Sequence, residues 1–141
     1  MPIFGVLTQP FTSNPESPNK FGAFDQVSGD PLKGTFIMMS HVKYLEAAGA
    51  RIVPISYRLD KNGLVNLLSQ VNGIYIPGDH PEILKNERYL NTVREILFWS
   101  QDHNTAGDHF PLIGVSYGYL AVMMQALKLE NTVQSVAQEE T

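Results

Sequence analysis

Residues 110–119 read FPLIGVSYGY. A short apolar run ends in a tight G-x-S-x-G turn from Gly114 to Gly118. A helix-like segment, YLAVMMQALKL, follows it. This order of strand, sharp turn and helix decides the fold class. A side chain on such a turn, here Ser116, projects above the carboxyl edge of a sheet. Backbone N–H groups beside it, that of Tyr117 among them, can hold an oxyanion. Ser116 therefore occupies a nucleophile position. A hydroxyl needs an adjacent base to act at neutral pH, and no histidine follows Ser116 in the sequence.

Upstream of this turn, strand and helix signals alternate. Residues 3–8 (IFGVLT) read as a buried strand. Residues 51–55 (RIVPI) read as a second strand, at or near a sheet edge, because Pro54 cannot donate to a ladder. Residues 73–77 (GIYIP) give a third, ending in the turn cluster Gly78-Asp79-His80-Pro81, and residues 112–115 give the fourth. Between them, Phe36, Met39, Val42 and Leu45 recur at helical spacing over residues 36–48, and Gly49 stops that helix. Asp60 is a suitable N-cap for a second helix through Leu64, Leu67 and Leu68. Residues 87–103 form a long amphipathic helix, with Leu90, Val93, Ile96 and Leu97 on its apolar side. Residues 117–129 form the fourth.

Residues 9–35, rich in Pro, Ser, Asn and Gly, read as a long loop. Residues 130–141 are polar and acidic and read as a flexible tail. The pairs Met38-Met39 and Met123-Met124 are expected in helix cores, and Trp99 is expected to be buried or interfacial. The alternation implies α/β: a flavodoxin-like parallel sheet flanked by helices, one domain over residues 1–141. Ligands in such sheets bind beyond the carboxyl ends of the strands. Those ends are Thr8-Gln9, Ser56-Tyr57, Gly78-Asp79-His80 and Ser116-Tyr117.

The chain has 141 residues, 43% hydrophobic and 17% charged, a balance that builds a core and argues against disorder. Net charge is −4 with no basic cluster, which excludes nucleic acid as an expected partner. There is no cysteine, so neither a disulfide framework nor a thiolate metal site is expected. No phosphate loop, metal cluster or nucleotide fingerprint appears, and no cofactor or metal is expected. No apolar run reaches the roughly 18 residues of a membrane span. The first residues lack a signal-peptide pattern, and there is no N-x-[ST] sequon. A cytoplasmic or organellar location is the expectation.

Several blocks resemble the γ-glutamyl hydrolases, of the class I glutamine amidotransferase-like superfamily. They are GVLTQP in the first strand, SHVKYLEAAGARIVPI over residues 40–55, VNGIYIPG over residues 71–78, and FPLIGVSYG. Their order runs across nearly the whole chain. The resemblance implies the N-terminal part of that family's fold. For an intact relative it implies cleavage of γ-glutamyl bonds, as in folate polyglutamates, through a thioester to cysteine. Relatives of this kind are often lysosomal, vacuolar or secreted.

Three departures stand beside the match. The family's nucleophile is a cysteine in G-x-C-x-G, and the matching residue is Ser116. The family's Gly-Gly pair, whose backbone helps form the oxyanion hole, is Gly78-Asp79 here. The family's base is a histidine far downstream, with no counterpart in this sequence. Of the histidines present, His109 precedes the strand that Ser116 ends, roughly 20 Å away at about 3.3 Å per residue. His103 lies on that same far side. His41 is expected on the exposed face of the first helix. His80 follows the third strand and is the remaining candidate base. G-x-S-x-G also fits the α/β-hydrolase elbow, but the other blocks do not.

Two functions follow as expectations. One is a degenerate, inactive γ-glutamyl hydrolase homologue kept as a structural or binding component of an assembly. The other is a γ-glutamyl hydrolase, either a serine variant using His80 or a fragment completed by another chain. A γ-glutamyl ligand is the small-molecule expectation. A second protein chain is expected to cover the sheet side beyond the fourth strand, with Tyr117, Tyr119 and the Met123-Met124 helix near the contact.

Overall fold

The chain folds as alternating strands and helices around one parallel sheet. The computed structural model describes residues 1–11 and 34–139, with side chains through residue 128. In order these are β1 (Ile3–Leu7), β2 (Gln9–Pro10), β3 (Thr35–Phe36), α1 (Met39–Ala47), β4 (Arg51–Ile55), α2 (Lys61–Leu68), β5 (Gly73–Ile76), a 3-10 turn (Pro81–Lys85), α3 (Glu87–Thr105), β6 (Leu112–Gly114) and α4 (Tyr117–Glu139). The main sheet has the order β4-β1-β5-β6 with every pair parallel. The chain leaves β1 through α1 to β4 on one side. It then returns past β1 to β5 and β6. That is the doubly wound, flavodoxin-like order, and its switch point lies between β1 and β5.

β4 is outermost, as Pro54 requires of it. The other edge is β6, three residues long, with Ile113 39% exposed. The two-residue side-chain period divides the sheet into faces. Leu7, Ile55, Ile74 and Ile76 join one core with Leu64 and Leu68 of α2, Val93 and Ile96 of α3, and Ala121 of α4. Val6 and Tyr75 point the other way and meet Leu45 of α1.

Local signals place the helices. Asp60 Oδ1 accepts the Gly63 N–H at 2.9 Å, and Asn86 Oδ1 accepts the Tyr89 N–H at 3.0 Å, two N-caps of the kind short polar side chains supply. Asn104, near the end of α3, donates to the Phe110 carbonyl and accepts its N–H, which aims the chain into β6.

Several expectations change. α1 begins at Met39, because Thr35–Phe36 instead pairs antiparallel with Gln9–Pro10. The rest of the expected loop, residues 12–33, lies outside the described residues, as do residues 140–141 of the tail. α4 continues to Glu139, past the expected end at 129; no Gly or Pro stands in residues 130–139 to stop it. Met38, Met39 and Met123 are exposed, so only Met124 of the two pairs packs against the core. Among the described residues, no helix is long and apolar enough to cross a membrane.

Candidate active site

The G-x-S-x-G segment forms a sharp elbow. Ser116 sits between β6 and α4 at φ 56°, and it is the one described non-glycine residue in the left-handed region. Such a conformation costs an L-residue about 1–2 kcal/mol and persists where the surroundings fix it. Here they do. The Val115 N–H donates to Ile76 O at 3.0 Å, and the Gly118 N–H donates to Val115 O at 3.0 Å. The glycines let α4 start directly against the end of β5. A Cβ on Gly118 would fall 2.1 Å from Ile76 O, and one on Gly78 would fall 2.0 Å from Gly118 N. The Ser116 side chain is thereby pushed outward, and the residue is exposed.

Beside the elbow lies the loop after β5. The buried Tyr89 hydroxyl donates to Pro77 O at 3.1 Å. The Tyr117 N–H, one of the groups expected to be able to hold an oxyanion, donates to Gly78 O at 3.2 Å. The Asp79 N–H donates to Gln9 Oε1 at 2.8 Å, and Gln9 Nε2 donates back to Asp79 Oδ2 at 2.5 Å. His41 closes the group. Its Nε2 lies 3.0 Å from Asp79 Oδ1, and its Nδ1 lies 2.9 Å from the Tyr75 hydroxyl. This cluster stands at the carboxyl ends of β1 and β5, on the switch point.

Comparison with known proteins gives the chain its relatives. No protein-family model matches the chain. It is 39% identical over 118 residues to Gamma-glutamyl hydrolase B of Dictyostelium discoideum, covering 83% of this chain and 30% of that protein. It is 31% identical to Gamma-glutamyl hydrolase 1 of Arabidopsis thaliana, over 84% of this chain and 30% of that protein. With Gamma-glutamyl hydrolase of Homo sapiens it shares 33% identity over 84 residues, 60% of this chain and 26% of that protein. The chain is γ-glutamyl hydrolase-like. It spans about 30% of the length of the first two of these relatives.

At the elbow of this γ-glutamyl hydrolase-like chain, Ser116, Tyr117, Gly78 and Asp79 come together. The candidate base does not join them through its side chain. Among the described residues, the Ser116 hydroxyl has no hydrogen-bond partner, and His80 makes no side-chain hydrogen bond. His80 instead precedes the 3-10 turn as its exposed cap residue. The neighbouring Asp79 carboxylate turns to Gln9 and His41, away from any role in orienting His80. His103 pairs with Asp108 at 2.8 Å, at the other end of α3.

The His41 expectation is corrected. It is mostly buried, its side chain 13% exposed, and both its ring nitrogens are engaged. The i+3 stripe of Phe36, Met39, Val42 and Leu45 drifts around a helix of 3.6 residues per turn. Leu45 is the buried member, and His41 lies one turn before it on the same face. That i, i+4 spacing was the available signal. Gln9 and Tyr75 had weaker signals: Gln9 lay at a strand end named as ligand-facing, and Tyr75 lay mid-strand.

Burial, then the neighbouring Tyr44, then the Asp79 charge, push the Tyr75 hydroxyl above the ordinary tyrosine range. Burial chiefly, with Asp79 adding, does the same more strongly to Tyr89. Both hydroxyls are held as proton donors beside the loop. Among the described residues, no group of three or more acidic or histidine side chains is placed to hold a metal.

Proposed function

We propose that this γ-glutamyl hydrolase-like chain is a degenerate, inactive homologue that serves as a binding or structural component of an assembly. One observation supports this most: the bonding state of the elbow. The Tyr117 and Asp79 amides already have partners within the chain, and among the described residues no base bonds the Ser116 hydroxyl. A serine nucleophile without a base and without free oxyanion donors loses the main sources of rate. A γ-glutamyl compound remains the ligand class such an elbow would take.

The surface supports a partner. Ile113 on the β6 edge and Tyr119, Leu120, Met123 and Leu127 on α4 are all 39–54% exposed. Tyr119, Met123 and Leu127 recur every four residues and line one face of the helix. An open strand edge beside an apolar helix face is a docking surface for another protein chain. The proposed partner covers the sheet side beyond β6.

A second reading has its own observation. Ser116 keeps the strained, outward geometry of a nucleophile. On this reading the chain is a γ-glutamyl hydrolase, as a serine variant with His80 as base or as a fragment completed by another chain. Attack by Ser116 Oγ would give a γ-glutamyl ester.

The purified chain, given a γ-glutamyl peptide, tests the choice. No turnover is expected. Turnover lost in both Ser116→Ala and His80→Ala would establish the serine enzyme instead. Sedimentation at micromolar concentration tests the surface. Association that Met123→Glu and Leu127→Glu abolish is expected; a monodisperse monomer with β6 open to solvent would overturn it.

A further inference from the structure

We propose that Asp79 is a latch: held by Gln9 and His41, it fixes the Gly78–Asp79 peptide in the one orientation that occupies both anion-holding amides. The inference deepens the inactive reading above and rests on it for the role of those amides.

The two occupied amides are linked through a single peptide unit. Gly78 O and Asp79 N belong to the same planar trans peptide, so they point in opposite directions. Gln9 Oε1 draws the Asp79 N–H to one side at 2.8 Å. Gly78 O is then directed to the other, where it meets the Tyr117 N–H at 3.2 Å. One choice of peptide plane closes both donors.

The Asp79 side chain sets that choice. Gln9 is fully buried, and a buried carboxamide must be satisfied at both ends. Asp79 satisfies both: its N–H supplies Gln9 Oε1, and its carboxylate takes Gln9 Nε2. Turning the peptide would orphan Gln9. His41 adds a second hold on the same carboxylate at 3.0 Å and is itself braced by the Tyr75 hydroxyl. Tyr44, whose ring lies 6.4 Å from that of Tyr75, and Tyr89, which feels the Asp79 charge, are further titratable groups beside the cluster. A side chain without a carboxylate at position 79 would leave Gln9 half-satisfied and the peptide free to turn.

Amide hydrogen exchange of the full chain, followed by NMR, tests this without any substrate. In the unaltered chain the Asp79 and Tyr117 amides should both be protected. In Asp79→Ala, residue 79 and Tyr117 should speed up together by about tenfold, the weight of one ordinary hydrogen bond. The Val6 and Ile74 amides of the sheet should not change. His41→Phe should move the same two amides in the same direction by less, and it decides the matter if Asp79→Ala fails to fold. If either amide stays as slow as in the unaltered chain, or if the two respond independently, the latch is refuted. That failure would leave the inactive reading standing, because the readout involves no catalysis. Turnover in the assay above would sink that reading and leave the exchange result as it is.

Discussion

The elbow after β6 and the loop after β5 touch, yet they differ in what holds them. The elbow is held by backbone. Gly78, Gly114 and Gly118 are in place, and Ser116 takes the left-handed conformation at φ 56°. The loop is held by side chains, those of Gln9, His41, Tyr89 and Asp79 itself. Backbone closeness needs only glycine and is indifferent to the reaction. Side-chain bonding at the loop occupies the Asp79 amide, and the Gly78 carbonyl of the same peptide occupies the Tyr117 amide. On the proposed reading, the backbone architecture of a hydrolase site persists while the amides beside Ser116 are tied up.

The largest effect should come from breaking the elbow's closeness. Gly118→Ala places a Cβ 2.1 Å from a backbone oxygen that cannot move without β5. We expect a loss of about 4 kcal/mol or more, seen as failure to fold or a collapsed denaturation midpoint. A variant of near-normal stability would mean that α4 does not start against β5.

The loop should respond less. Tyr89→Phe removes the hydroxyl from the buried Pro77 carbonyl, at a cost of about 2 kcal/mol at neutral pH in urea denaturation. It also carries a pH signature. The folded chain holds the Tyr89 proton at pH values where the unfolded chain releases it. Stability from this group is full below about pH 10 and is lost as pH rises above that. Tyr89→Phe should flatten part of the alkaline decline. An unchanged slope above pH 10 would remove Tyr89 from the account of the loop.

The smallest effect separates geometry from chemistry at the elbow. Ser116→Gly relieves the left-handed strain and should stabilise the chain by about 1 kcal/mol. A loss of stability would show that the serine side chain holds the elbow together.

Much of the elbow was legible in the sequence, and much of the loop was not. G-x-S-x-G at the end of an apolar run encodes a strand-to-helix turn through local sterics, so Ser116 appears where it was expected. Pro54 placed β4 at an edge for a similarly local reason. The loop is long-range: Gln9 and Asp79 lie 70 residues apart, and His41 and Asp79 lie 38 apart. No local period reports such a meeting. The reading of His41 as exposed came from following i+3 steps where i+4 was the buried direction. The expected end of α4 at residue 129 came from reading polarity as an end, whereas the helix runs on to Glu139 because no Gly or Pro there breaks it.

The central claim is that Ser116 keeps the position of a nucleophile without its reactivity. Intact-mass spectrometry after prolonged incubation of the full chain with a γ-glutamyl p-nitroanilide reads this at the bond itself. The account predicts an unmodified chain. A γ-glutamyl ester mapped to Ser116, absent from Ser116→Ala, would contradict it.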